Sequence, residues 1–179
     1  ELMNEEPDIH FATSPNMSAG ALRLSLENPD KAILNCDFAQ PKKNIMTYYA
    51  KFYEAAFLCG VMAGSMTRTG LLGYTTTMAT HPGSTFNLNA FALGAQLVNP
   101  TAHVVNINLY RVDASDPYHM EARQALARHG VDIAMCIHQP HTPLVRKGFP
   151  GVYAQLYLLQ SGSGHPTECI GAAAVDWSI

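Results

Sequence analysis

The sequence predicts an α/β fold with mostly parallel sheets. Three observations carry that expectation. Short apolar runs alternate along the chain with stretches of helical period, the arrangement of strand–helix units. Val131–Ile137 is nearly all apolar, as in a parallel strand buried on both faces. Tyr49–Met66 carries only Lys51 and Glu54 as charges, one helical turn apart, and so reads as a core helix buried over most of its surface.

Taken in order, Ile9–Thr13 is a strand ending in the polar turn Ser14-Pro15-Asn16. Met17–Glu27 has helical spacing, with Met17, Ala21 and Leu24 on one side, and Asn28-Pro29-Asp30 stops it. Ala32–Cys36 is a second strand and Asp37–Asn44 a polar loop. In the long helix after that loop, Gly60 and Gly64 lie one turn apart and let another backbone approach. Leu71–Thr75 is a strand. Phe86–Val98 is an amphipathic helix presenting Leu88, Phe91, Ala95 and Val98, closed by Asn99-Pro100. His103–Tyr110 sets Val105, Ile107 and Leu109 opposite Asn106 and Asn108, as a strand near a sheet edge would. Ser115-Asp116-Pro117 opens a helix and Gly130 closes it. Gly151–Leu158 and Cys169–Val175 are the last strands, on either side of the loop Ser161–Pro166. No internal repeat or low-complexity tract is present.

At 179 residues the chain suits one domain or two small lobes, and 47% hydrophobic residues supply a core. The charged fraction is 14%, against about 25% in ordinary domains, which suggests surface covered by other parts of a larger protein. A net charge of −3 without a basic cluster excludes nucleic acid and anionic membranes as partners. The uncharged run Ala55–Met66 is too short for a bilayer span of about 20 residues. No signal peptide is present, and the abrupt opening ELMNEEPDIHF reads as an excised segment. Cys36, Cys59, Cys136 and Cys169 have apolar neighbours and no CxxC spacing, so four buried thiols are expected, a mild argument for a reducing compartment.

In sheets of this class ligands bind outside the carboxyl ends of strands. That rule selects the loops Thr13–Asn16, Asp37–Gln40, Thr75–Gly83, Arg111–Asp116, His138–Thr142 and Leu159–Gly164. Within them Ser14, Asn16, Asp37, Thr76, Asp113, Asp116, His138 and Gln139 are the candidate ligand-binding residues. Ser14 with Asn16 reads equally as a hydrogen-bonding pair or a plain turn, and Asp116 before Pro117 as a helix cap. His138 and His141 have no nearby carboxylate or thiol, so no metal site is expected. Ser161-Gly162-Ser163-Gly164 lacks the lysine and helix of a phosphate loop. No G-x-S-x-G elbow or other catalytic set is present, and no cofactor is expected.

The blocks YYAKFYEAAFLCGVMAG, TRTGLLGY, NAFALGAQLVNP, the pair Asp116-Pro117, GVDIAM and GVYA, preceded by HFATSPNM and NPDKAILNCD, give nearly the whole chain a family likeness. It resembles the basic membrane protein (BMP) family of solute-binding proteins. That resemblance implies a type 1 periplasmic-binding fold of Rossmann-like lobes, incomplete here at both ends. The expected division is 1–68 for the rest of the first lobe with its long helix, 69–160 for the second lobe, and 161–179 for a return segment. It also implies purine nucleoside binding without chemistry, an ABC permease as partner, and a membrane-anchored lipoprotein in the cell envelope. Where family members often carry a stacking aromatic this chain has Ala114 and Ser115, and where they often carry a ribose-binding acid it has Gln155-Leu156-Tyr157-Leu158. The segment alone is therefore expected to bind nucleosides weakly or not at all. Two alternatives stand beside this reading: a ligand-sensing or oligomerisation domain of a longer intracellular regulator with a degenerate pocket, and an enzyme of nucleoside metabolism. Open sheet edges allow a homodimer.

Overall fold

The computed structural model describes residues 7–36, 42–76, 82–109, 116–137, 152–159 and 166–173. The chain divides into two compact units, Glu1–Ala50 and Lys51–Ile179. The expected change of lobe at Arg68–Gly70 does not coincide with that division. The apolar helix packs with the strands and helices after it in the chain, and so belongs to the second unit.

In the first unit β1 (Ile9–Ala12), β2 (Ala32–Cys36) and β3 (Ile45–Tyr48) form a parallel sheet in the order β1-β2-β3. A single 3-10 turn, Pro15–Met17, leads into α1 (Ser18–Glu27). The alternation of β2 turns Ile33 inward, where it meets Ala12, Ala21 and Ile45 in a small core flanked by Leu22 and Leu24. β3 lies in a stretch that the sequence presents as loop and helix approach. Only Ile45 of its four residues is buried, so it lacks the alternation that marks a strand.

One side chain ties this unit together. Asn44 accepts a hydrogen bond from Ser25 Oγ (2.8 Å), and its Nδ2 reaches the carbonyls of Asn28 and Lys31 (both 3.0 Å) and Ser25 (3.3 Å). It thereby fixes the end of α1 and the turn beyond it to the start of β3. Asn44→Ala is expected to cost about 2 kcal/mol, because it leaves part-buried carbonyls without a donor. Urea denaturation followed by circular dichroism checks this. An unchanged midpoint would show the clamp to be idle.

The second unit runs α2 (Phe52–Met66), β4 (Leu71–Thr76), α3 (Pro82–Val98), β5 (His103–Asn108), α4 (Asp116–Arg128), β6 (Ile133–Ile137), β7 (Val152–Leu159) and β8 (Pro166–Ala173). Its sheet has the order β5-β4-β6-β7-β8. β5, β4 and β6 are parallel, whereas β7 and β8 are antiparallel to their neighbours. The sheet is therefore mixed, and β6 meets an antiparallel strand on one side.

Successive residues of β4 serve opposite faces of this sheet. Leu72 and Tyr74 join Ala56, Cys59 and Ala63 of α2 with Phe91 and Ala95 of α3. Leu71 belongs to the other cluster, where Leu126 and Ala127 of α4 pack on Ala134, Tyr157 and Leu159. The two helices of the first face touch backbone to backbone. A Cβ on Gly60 would collide with the Phe91 carbonyl, one on Gly64 would lie 2.5 Å from the Ala95 carbonyl, and one on Gly94 would collide with the Phe57 carbonyl. The close approach expected at Gly60 and Gly64 is present, α3 is the partner, and Gly94 answers from the other side. The opposite face of α2 is open, with Leu58 exposed, so this helix is less enclosed than its composition implies.

The turn after α2 is held by a residue distant in sequence. Asp132 accepts from Thr67 Oγ1 (2.7 Å), from the Arg68 amide (2.6 Å) and from the Thr69 amide (3.3 Å). Thr67 Oγ1 in turn accepts from the Gly70 amide at 3.1 Å, and Gly70 takes the positive φ of 72° that glycine tolerates. Gly130, with φ 84°, closes α4 as expected.

Candidate functional site

Among the described residues, the carboxyl ends of β4 and β5 bring hydrogen-bonding groups together without a charge. Strand pairing sets Tyr74 beside Asn106 and Thr76 beside Asn108. Thr76 Oγ1 donates to Asn106 Oδ1 at 2.9 Å, and Asn106 Nδ2 donates to Asn108 Oδ1 at 3.0 Å. Thr75 points to the other face, 1% exposed, and its Oγ1 has no hydrogen-bond partner among the described residues. Asn87 in the second turn of α3 is also buried, and its Oδ1 likewise lacks a partner there. Leaving a buried acceptor without a donor costs about 1–3 kcal/mol, so such groups call for an explanation.

Strand order explains why Thr76, Asn106 and Asn108 gather. The chain goes from β4 through α3 to β5 on one side, then returns through α4 to β6 on the other side of β4. The carboxyl end of β4 is thus a point where connections diverge, where open α/β sheets leave room for a ligand. Hydroxyl and carboxamide groups both donate and accept, which suits a neutral polar molecule. No group of three or more His, Cys, Asp or Glu able to hold a metal occurs among the described residues.

Of the residues singled out by sequence, Thr76 stands in this cluster. Ser14 and Asn16 belong to the first unit, where Ser14 Oγ accepts from the Asn16 amide (3.3 Å) as the cap of the 3-10 turn. Asn16 also lines a cavity of about 620 Å³ beside the edge strand β1. That cavity is walled mainly by apolar side chains such as Ile9, Phe11, Met17 and Leu24, with Asn16 and His10 as its polar groups; His10 Nε2 has no hydrogen-bond partner among the described residues. Asp116 is the first residue of α4, and its side chain lies outside the described residues. Asp37, Asp113, His138 and Gln139 lie outside them altogether, as do the loops Asp37–Gln40 and His138–Thr142.

The strand-end rule selects the loop Leu159–Gly164 on the expectation that a parallel strand precedes it. β7 instead runs antiparallel, and the Leu159 amide donates to the Asp132 carbonyl at 2.8 Å. β7 therefore ends beside the amino end of β6, away from the cluster. Thr75, Asn87, Asn106 and Asn108 are not among the residues that the sequence singles out. A strand-end rule extended to both threonines and to the neighbouring strand would find three of the four.

Two further side-chain environments are defined, one in each unit. Tyr48 donates to the Ala12 carbonyl at 3.3 Å. Desolvation, aided by the adjacent Cys36 thiol, pushes its phenol above the ordinary range. Arg123, buried on the α4 face, places its guanidinium carbon 4.9 Å from the centre of the Tyr157 ring. Cys59 is buried and Cys36 half-buried, while the Cys136 and Cys169 side chains lie outside the described residues.

A mainly parallel α/β core thus carries, among the described residues, an uncharged hydrogen-bonding cluster at its strand ends. Residues 1–145 match the family model of PnrA-like ABC transporter substrate-binding proteins. The chain belongs to this family, Bmp. A purine-binding protein of Brucella abortus is 31% identical over 125 residues, covering 69% of this chain and 35% of that protein. A protein of Haloferax volcanii, provisionally named as an ABC transporter glucose-binding protein, is 26% identical over 126 residues, covering 70% of this chain and 32% of its own length. The chain thus spans about one third of the length of these relatives. The crystal structure of a transcriptional activator of the comK gene from Bacillus halodurans superposes with a TM-score of 0.50 at 17% identity, covering 76% of this chain and 60% of that one. This last likeness is one of fold. No helix among the described residues is long and apolar enough to cross a membrane.

Proposed function

We propose that this chain is a ligand-capturing segment of an ABC transporter substrate-binding protein and that its ligand is small, neutral and rich in hydroxyl or amide groups, with a purine nucleoside as the first candidate. The observation that carries this reading is the hydrogen-bonded row of Thr76, Asn106 and Asn108, which among the described residues offers donors and acceptors but no charge. The names of the two relatives, one for purine and one for glucose, support a neutral ligand. The parent protein would work outside the cytoplasm, anchored to the membrane, and hand its ligand to an ABC permease without altering it.

A thermal-shift panel tests the reading. Neutral nucleosides and sugars should raise the melting temperature, while nucleotides and acidic amino acids should not. A ligand at 100 times its dissociation constant adds about 2.7 kcal/mol. Thr76→Val keeps the shape but removes the donor to Asn106, and should weaken binding about tenfold, the worth of one hydrogen bond. A shift confined to anions, or one unaffected by Thr76→Val, would contradict the assignment.

A further inference from the structure

The faces of α2 and α3 turned away from the sheet carry a continuous apolar stripe. Leu58 is 57% exposed, Phe86 54%, Leu93 62% and Leu97 68%. Positions 86, 89, 90, 93 and 97 follow helical period along α3, and 54, 57, 58 and 61 do so along α2. The exposed parts of these four large side chains amount to about 480 Å², given roughly 200 Å² for each when free. A monomer's largest apolar patch is about 300–600 Å² and is often functional. With the half-buried Tyr53, Phe57 and Ala90 beside it, the stripe supplies more than half of the roughly 800 Å² that each partner of a stable complex buries.

The relief and the charge of this face say what covers it. Two adjoining grooves, of about 450 and 330 Å³, share Tyr53, Ala90 and Leu93, so hollow and ridge lie side by side. A face with both can receive its own image across a two-fold axis. α3 has no charged residue, and the single acid of α2, Glu54, pairs with Lys51 at 3.8 Å. A surface placed against its own copy meets its own charges, and this one brings no net charge to the contact. Asn89, in the smaller groove, is both donor and acceptor and can bond to its own kind. An anionic membrane would require a basic rim, which is missing here.

We propose that this face is a self-association surface, on which a second copy of the chain packs α2 and α3 against α2 and α3. The contact is distinct from pairing through open strand edges. Sedimentation velocity on the 179-residue chain over a range of concentrations tests it. The wild-type chain should form a dimer. Leu93→Glu and, separately, Leu97→Glu should each weaken it at least about tenfold, as loss of a buried anchor does. Both positions are exposed in the single chain, so circular dichroism and the melting temperature at low concentration should stay unchanged. A wild-type chain that remains a monomer throughout would overturn the proposal. A dimer that persists in both variants would overturn it as well and would point to the strand edges.

Discussion

Gly94→Ala is expected to destabilise the second unit by about 3 kcal/mol. The added Cβ would collide with the Phe57 carbonyl and lie 3.0 Å from the Val61 amide nitrogen. Both obstacles are backbone, so no rotamer change relieves them, and overpacking of this kind costs about 1–3 kcal/mol or more. Gly60→Ala presses on the Phe91 carbonyl and the Ala95 nitrogen in the same way. The sign is what makes the result diagnostic. Alanine is the better helix former by about 1 kcal/mol, so an uncrowded helical glycine gains from the change. A Cβ at Gly20 in α1 would meet nothing within 4 Å, and Gly20→Ala should raise stability. Urea denaturation of the three variants should move the midpoint down twice and up once. A Gly94→Ala protein as stable as the wild type would mean that α2 and α3 do not meet backbone to backbone.

Asp132→Ala is expected to cost about 3 kcal/mol. The carboxylate accepts three hydrogen bonds from the turn between α2 and β4, two from backbone amides. Bonds to a charged acceptor contribute about 1.5–3 kcal/mol, and removing the acceptor leaves the Arg68 and Thr69 amides to water or to nothing. Asp132→Asn keeps one oxygen and should lose about half as much. Hydrogen exchange checks both variants, with faster exchange at Arg68 and Thr69 as the local signature. Exchange there at the wild-type rate would show that the turn holds itself.

Those long-range contacts also show where local reading of the sequence stops. The alternation of apolar runs and helical stretches locates β1, β2 and β4–β8 and all four helices, because each buries a side in a regular pattern. β3 escapes it because three of its four residues face outward and a polar, proline-bearing loop precedes it. With β3 unseen, the division of the chain just beyond it is hidden too. The turn at Thr67–Gly70 looks like a lobe boundary because Thr and Gly are turn residues. Its attachment to Asp132, far along the chain, has no local signal. The antiparallel course of β7 is equally hidden, since an apolar run reads the same in either direction.

The candidate site is legible in part. Thr76 is reachable from the rule that ligands meet the carboxyl ends of strands, whereas Asn106 and Asn108 read as the polar side of an edge strand. β5 is an edge strand of the described sheet, yet those two carboxamides continue the hydrogen-bonded chain that Thr76 begins. The exposed leucines of α3 are invisible for a related reason. Periodicity shows that a helix has apolar faces, and it does not show that one of them is left uncovered.

Titration of the isotopically labelled chain with a purine nucleoside, followed by amide and side-chain carboxamide NMR, tests the assignment of the ligand site most directly. The account predicts concentration-dependent shifts concentrated at Thr76, Asn106 and Asn108, lost in Thr76→Val. Shifts centred instead on the apolar cavity lined by Ile9, Phe11 and Met17, or no shifts with any neutral hydroxylated ligand, would contradict it.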